Sequence, residues 1–198
     1  MNKYVLLCIV VALKGSLLLG LYRPEDFDEL KKTRCCPKAE LACADLHGAC
    51  LNCAYLYDAS LNGAYLDGAF LCGADLFCAH LVYAHLRQAH LFCANLWCAD
   101  LYGADLNGAD LRMANLKGAI LCRANLQDAD LSDADLSRAD LCGADLRSAD
   151  VSRANFCGAQ YNSETKLPKT LQPWQMHSMV CAMSTFLQNV PPQRCWND

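Results

Sequence analysis

From Ala39 to Ala159 every fifth residue is alanine, and two residues after each stands a leucine, replaced only at the end by Val151, Phe156 and Tyr161. A period of five fits neither the 3.6 residues of a helical turn nor the two of a strand. The chain must therefore turn at regular intervals, with a small and a large inward position in fixed alternation, which is the arithmetic of a solenoid. The other three positions of each repeat carry Asp, Asn, His, Gly, Arg, Cys and aromatics. They are too polar and too varied for a core, so they are expected to face outward. Nine of the eleven glycines fall at the last position, as in Leu46-His47-Gly48 and Leu106-Asn107-Gly108, where a turn calls for positive φ. The Asp or Asn before the central leucine is placed to hydrogen-bond the local backbone at the corner.

The flanks read differently. Residues 4–13, Tyr-Val-Leu-Leu-Cys-Ile-Val-Val-Ala-Leu, follow Lys3 and resemble the apolar core of a signal peptide; Lys14 interrupts the run and Ser16 to Leu21 resumes it. Residues 1–22 are accordingly expected to be a signal peptide or hydrophobic anchor, with a possible membrane anchor through residues 4–21. The alternative is an uncleaved segment covering the first coil. Over residues 23–38 a short capping helix is expected, with Pro24 at its first position, Glu25 and Asp26 in its first turn and Lys31 and Lys32 in its last. The repeats occupy residues 39–161. In the tail, 162–198, an amphipathic helix is expected from Pro173: Met176, Met179, Val180, Met183, Phe186 and Leu187 form one apolar stripe, stopped by Pro191-Pro192. It would serve as a cap over the last coil, leaving a monomer, or as a dimerisation helix.

Net charge and cysteine content narrow the function. A formal charge of −4 and a pI near 5.7 provide no basic footprint for a phosphate backbone, so direct nucleic-acid binding is not expected. The fifteen cysteines do not form the paired CxxC spacing of a zinc centre, Cys50-Leu51-Asn52-Cys53 being the one CxxC in the chain. They are compatible with export.

The run Ala-(Asp/Asn)-Leu-x-Gly, unmodified in Ala44-Asp45-Leu46-His47-Gly48 and Ala104-Asp105-Leu106-Asn107-Gly108, closely resembles the pentapeptide-repeat family. The resemblance covers about 62% of the chain. It implies an all-β fold, a right-handed quadrilateral parallel β-helix of about six coils, here with short helical caps. It also implies no cofactor and no catalytic residue in the repeats, while one branch of the family mimics DNA and inhibits gyrase. The entry from Thr33 to Leu41 and the exit Ala159-Gln160-Tyr161-Asn162-Ser163-Glu164-Thr165 resemble exported cyanobacterial members, which points to the periplasm or thylakoid lumen, or to membrane anchoring, with the cytoplasm as the alternative. Those members carry Cys-Pro-x-Cys at the entry. Here Ala39 replaces the second cysteine, so Cys36 would have to pair with Cys43 or Cys35.

With four repeats to a coil, residues twenty apart stack at the ~4.8 Å spacing of β-strands. Tyr57, Phe77 and Trp97 then form one vertical ladder, continued by Lys117 and flanked by Tyr55, with Asp75 at its margin. This ladder is the candidate partner-binding site, since exposed apolar strips and aromatics mark interfaces; ladder stacking for its own sake is the competing explanation. His80, His85 and His90 occupy one position of three consecutive repeats, so they diverge around the solenoid and do not suggest a metal site. Cys78/Cys98 and Cys122/Cys142 stack twenty apart, but parallel side chains do not point at one another as a disulfide requires, and free thiols are expected. Asp110, Asp130 and Asp150 form an acidic ladder interrupted by Arg112, Arg123, Arg138 and Arg147. No nucleophile, base and orienting group share a face, so an enzyme is not expected. The residues favour a non-catalytic scaffold or protein-binding module with an unknown protein partner; the alternative is a DNA-mimic inhibitor of a type II topoisomerase.

Overall fold

The computed structural model describes residues 37–171 and 180–181. Parallel backbone bridges join residues twenty apart along the whole array, from Glu40↔Ser60 to Asp140↔Gln160. Four pentapeptides therefore make one coil, and each contributes one side of a four-sided parallel β-helix. The first face stacks Glu40, Ser60, His80, Asp100, Ile120, Asp140 and Gln160; the second begins at Asp45, the third at Cys50 and the fourth at Tyr55.

Up to Arg138, three main-chain amides of each repeat are settled by backbone carbonyls. In the fourth repeat, Ala54 to Asp58, Leu56 N–H donates to Asp75 O at 2.7 Å and Asp58 N–H to Phe77 O at 2.8 Å, both one coil up, while the N–H of Ala59, which opens the next repeat, closes a turn onto Leu56 O at 3.1 Å. From the second coil on, the residue before the leucine also donates downward, as Tyr65 does to Ala44 O at 2.9 Å. Only the amide just after the leucine has no place in this ladder. The Asp or Asn two residues earlier takes it: Asp75 Oδ1 accepts from Phe77 N–H at 3.3 Å, Asp130 Oδ1 from Ser132 N–H at 3.0 Å and Asp135 Oδ1 from Ser137 N–H at 2.9 Å. This is the Asx turn expected of these residues. Where Phe70, His80 or His85 takes that place, the amide bonds instead to a side chain one coil below, Asn52, Asn62 or Asp67.

Inside, the alanines and leucines of the array are essentially inaccessible, and Phe156 closes the same column. A fully buried leucine is worth about 1.5–3 kcal/mol relative to exposure, so the core supplies the main driving force. The alanine exists because the coil has no room for more.

Each repeat ends with a residue at positive φ, between 53° and 72°. Glycine fills only nine of these corners; Cys, Asp, Arg, Tyr, Gln, Met, Ser and Lys adopt the same left-handed conformation at the rest. The turn chemistry expected at the glycines thus extends to every repeat, because the ladder on both sides fixes the corner whatever residue stands there. With positive φ confined to the second central residue, each corner follows the type II pattern. Gly103 is needed for a second reason: a Cβ there would meet the Tyr83 ring at 2.5 Å.

The ends depart from expectation. Residues 1–36, which carry the expected signal or anchor and most of the capping helix, lie outside the described residues; Pro37 and Lys38 form a turn. Among the described residues there is no helix, and none long and apolar enough to cross a membrane. Val180–Cys181, in the middle of the stretch expected to be helical, forms strand β2. It pairs in parallel with β1, Gln160–Tyr161, with Gln160 opposite Val180. The first face thus gains a further rung, because Gln160 and Tyr161 present ladder groups that a strand can satisfy and a helix cannot. The remainder of the amphipathic stretch lies outside the described residues. Before it, Asp145 pairs with Lys166, twenty-one residues on, so one extra residue is taken up in the Asn162–Thr165 turn.

Ala99 is inaccessible to solvent, whereas Asp100 beside it accepts only the Tyr102 amide at 3.1 Å at the surface. Ala99→Leu should destabilise the domain by overpacking, by about 1–3 kcal/mol or more, and Asp100→Ala by less, about 1 kcal/mol. Thermal melts of the two variants check this; equal melting points would overturn the assignment of inside and outside.

Candidate functional site

On the fourth face, the side chains following each leucine form the ladder Tyr57, Phe77, Trp97 and Lys117 in consecutive coils. The backbone fixes this register through Tyr55↔Asp75 and Asp75↔Asn95. Phe77 and Trp97 are in direct contact, ring centroids 5.2 Å apart and tilted by 58°. The Lys117 ammonium lies over the other side of the indole, 5.8 Å from its centroid, within the range of a cation–π contact. Tyr57 stands one rung below Phe77 with 38% of its surface exposed, and Trp97 retains 39%. The structure therefore places all three candidate residues on one face and brings two of them into contact.

Beside the aromatics runs a polar spine. Asn95 Nδ2 donates to Asp75 Oδ1 at 2.9 Å, Asn115 Nδ2 to Asn95 Oδ1 at 3.1 Å and Asn155 Nδ2 to Asp135 Oδ1 at 3.0 Å. Stacked amides hold their neighbours in register, so the aromatic strip is mounted on a stiff edge. Where the third and fourth faces meet, a depression of about 340 Å³ is lined by Trp97, Met113, Asn115, Lys117, Asp133 and Asp135 over the buried Ala114. Met113 is 56% exposed and continues the apolar character of Trp97 around the corner.

Other stacks escaped the reading of the sequence. Tyr65 stacks on His85 with centroids 4.7 Å apart and on His47 at 5.7 Å, on the second face; Phe70 stacks on His90 at 4.7 Å on the third. The signal was present, since Phe70 and His90 are twenty apart, but it lies at the position before the leucine instead of the one after it. Tyr83 and Tyr102 meet edge to face at 5.6 Å on the first face. Outward aromatics thus surround the coils from Tyr55 to Tyr102, and none occurs from Gly103 to Asn155.

The three histidines diverge as expected, each on its own face: His80 bridges Ser60 and Asp100, His85 bridges Tyr65 and Asp105, and His90 bridges Phe70 and Asp110. Among the described residues no group of three or more His, Cys, Asp or Glu is placed to hold a metal. Cys78, Cys122 and Cys142 are thiols, and so is the exposed Cys43, which the entry motif offered as a disulfide partner. Cys98 departs from expectation: it is disulfide-bonded, and not to Cys78.

Carboxylates dominate the coils beyond Tyr102, but arginines sit among them. Arg112 donates two hydrogen bonds to Asp110, both 2.8 Å, and reaches Asp130 at 3.7 Å; its guanidinium also lies 5.5 Å from the Phe92 centroid. The Arg112 hydrogen bond holds the Asp110 carboxyl below its ordinary range. Arg153 binds Asp133, Arg87 binds Asp105, and Asp145 is held by Arg147 at 2.8 Å and Lys166 at 3.1 Å. The acidic ladder exists, and much of its charge is compensated at contact distance.

The model of the family described as Pentapeptide repeats matches over residues 39–76, 54–91, 84–123, 99–138 and 124–159, more than half of the chain. The chain belongs to this family of repeat proteins, whose members form right-handed quadrilateral β-helices. Among solved structures, it is similar to HetL, a pentapeptide repeat protein involved in heterocyst differentiation regulation in the cyanobacterium Nostoc sp. strain PCC 7120, at 34% identity over 59% of this chain and 58% of that one, with a TM-score of 0.46. A pentapeptide repeat protein from the thylakoid lumen of Arabidopsis thaliana is 30% identical over 54% of this chain and 67% of that one, TM-score 0.38. A trypsin-treated variant of QnrB1, a plasmid-mediated fluoroquinolone resistance protein, is 21% identical over 57% of this chain and 64% of that one, TM-score 0.43. The chain thus spans less than two thirds of HetL and of the trypsin-treated QnrB1 variant. A comparison with curated proteins found no match.

Among the described residues, Asp145 is the carboxylate most strongly affected by its neighbours. The Arg147 hydrogen bond and that of Lys166 lower its pKa to about 2. A carboxyl depressed in the folded state lends stability that is complete above its unfolded pKa near 3.9 and lost as pH falls through the folded value. Asp145→Asn should therefore lower the melting temperature at neutral pH, and the gap to the wild type should close between about pH 4 and pH 2. Melts across that range check it; a gap independent of pH would remove the ion pairs from the account.

Proposed function

We propose that this protein is a non-catalytic scaffold that binds a protein partner through its fourth face, with Tyr57, Phe77 and Trp97 as the anchor. The observation that carries the reading is the contact between Phe77 and Trp97 on a ladder that remains substantially exposed, with Lys117 over the indole. Aromatic anchors with a polar margin are the composition of interface hot spots. The coils need no such side chains for their own stability: Lys117, Ser137 and Cys157 fill the same position higher up. Asp75 and the Asn95–Asn115 spine supply the margin. Location beyond the cytoplasmic membrane, in the periplasm or a thylakoid lumen or on a membrane through residues 4–21, belongs to the same proposal and is supported by the apolar N-terminal run.

A DNA-mimic role is less well supported. Such a mimic presents a continuous anionic surface, whereas Arg112 spans Asp110 and Asp130, and Arg147 and Lys166 hold Asp145. Purified protein at micromolar concentration should leave gyrase supercoiling unchanged. Inhibition that disappears in the Asp110→Asn, Asp130→Asn, Asp150→Asn variant would reverse this preference.

The partner face is tested by changing Tyr57, Phe77 and Trp97 to Ser together. All three point away from the core, so circular dichroism should show a folded domain with only the loss of ladder stacking, ~0.2–1 kcal/mol per pair. Co-purification of proteins from cell extract should fall sharply relative to the wild type. An identical set of retained proteins would make the ladder merely structural.

A further inference from the structure

The depression between the third and fourth faces has walls of unlike chemistry. Met113 ends its repeat at a φ of 57°, so the chain turns there, sends Ala114 inward and leaves the thioether outside. Met113 and the Trp97 indole are the apolar part of the lining, and Asn115, Lys117, Asp133 and Asp135 are the polar part. The backbone beneath is fixed by the ladder: Asp135 N–H donates to Ala114 O at 3.0 Å and Leu116 N–H to Asp135 O at 2.7 Å. Asn115 is tied on both sides, its Nδ2 donating to Asn95 Oδ1 at 3.1 Å and its Oδ1 accepting the Lys117 N–H at 3.2 Å. The walls are therefore set before anything binds.

The three formal charges of the lining are not equally satisfied. Asp133 is held by Arg153 through two hydrogen bonds. Asp135 uses one oxygen only: Oδ1 accepts from Ser137 N–H at 2.9 Å and from Asn155 Nδ2 at 3.0 Å, both neutral donors. Among the described residues its Oδ2 has no hydrogen-bond partner and its charge no ion pair. The Lys117 ammonium lies 5.8 Å from the Trp97 centroid, and among the described residues no carboxylate stands within ion-pair distance of it. Lys117 and Asp135 do not pair with each other, although they lie on adjacent coils. One cation and one anion thus line the depression without counter-charges, beside an exposed thioether and indole.

We propose that this depression is the specificity pocket of the partner face, and that it receives an exposed peptide segment carrying a large apolar side chain between an acidic and a basic one. The apolar side chain fills the depression against Trp97 and Met113 and supplies the contact energy. The acidic side chain pairs with Lys117 and the basic one with Asp135 Oδ2. Charges so placed fix the register of a partner and exclude those of the wrong sign more than they add affinity. The inference rests on the reading of the fourth face as a partner-binding face and narrows it, because Tyr57 and Phe77 lie outside this lining.

The test is selection of a random peptide library, displayed on phage, against the immobilised full chain. Wild type is compared with Lys117→Glu, Asp135→Asn, Met113→Ser and a Tyr57→Ser, Phe77→Ser variant, each shown to be folded by circular dichroism. Wild type should select sequences that share an acidic, a large apolar and a basic residue. Lys117→Glu should replace the selected acidic residue by Lys or Arg, a change of sign that an unfolded variant cannot produce. Asp135→Asn keeps the Oδ1 acceptor; it should abolish the preference for the basic residue and weaken a synthetic consensus peptide about fivefold, the worth of one exposed ion pair. Met113→Ser should weaken the same peptide. Absence of a shared motif in the wild type, or unchanged selected charges with Lys117→Glu, would overturn the proposal. The Tyr57→Ser, Phe77→Ser variant separates the two readings. If it selects the motif and also retains every extract protein, the ladder anchor falls and the pocket stands; if wild type selects no motif while this variant loses extract proteins, the pocket falls and the anchor stands.

Discussion

Parallel backbone hydrogen bonds between residues twenty apart govern this molecule, and the corners, the core and the surface ladders follow from them. Each rung is one bridging residue per face, bonded upward and downward. Once that register is set, the alanine and leucine columns have nowhere to go but inward, and the interior is filled by two residue types with almost no accessible surface. The lone amide outside the ladder explains the abundance of Asp and Asn before the leucine. It also explains why Asn52, Asn62 and Asp67 stand where they do, one coil below Cys72, Val82 and Arg87.

Vertical stacking turns a one-dimensional sequence into a surface whose neighbours can be named. Phe77 meets Trp97 and Phe70 meets His90 because each pair is twenty apart, not because either ring seeks the other through the chain. The same rule puts Asn95 on Asp75 and Asn155 on Asp135, an arrangement that stiffens the fourth face beside the aromatics. Along the axis the character changes, from aromatic coils up to Tyr102 to coils of paired carboxylates and arginines beyond it.

Much of this was legible from the sequence, because a strict period leaves few geometric choices. The inward and outward positions follow from counting, and, given the four-sided coil that the family resemblance implies, so do the divergence of His80, His85 and His90 and the shared face of Tyr57, Phe77 and Trp97. What did not follow depends on rotamers or on the ends. Counting places Arg112 beside Asp110 but does not say that it also reaches Asp130 and leans on Phe92. Helical periodicity in the tail is a local signal; the open edge at Gln160–Tyr161 is a tertiary one, and it recruits Val180–Cys181 as a strand. Glycine marked only some corners because composition reports preference, whereas the ladder imposes conformation. The disulfide at Cys98 had no signature in the twenty-residue rule.

The left-handed corners carry a stereochemical consequence. Lys38, Cys43, Tyr83, Arg138 and the other non-glycine corner residues hold φ near +60°, a region that costs an L-residue roughly 1–2 kcal/mol and that its mirror image occupies freely. At these sites alone among the described residues, handedness of the residue and handedness of the backbone are opposed. A chemically synthesised chain with D-residues at the corners would keep every ladder hydrogen bond and both inward columns. It would differ from the natural molecule only in having lost an opposition repeated up all four edges of the solenoid.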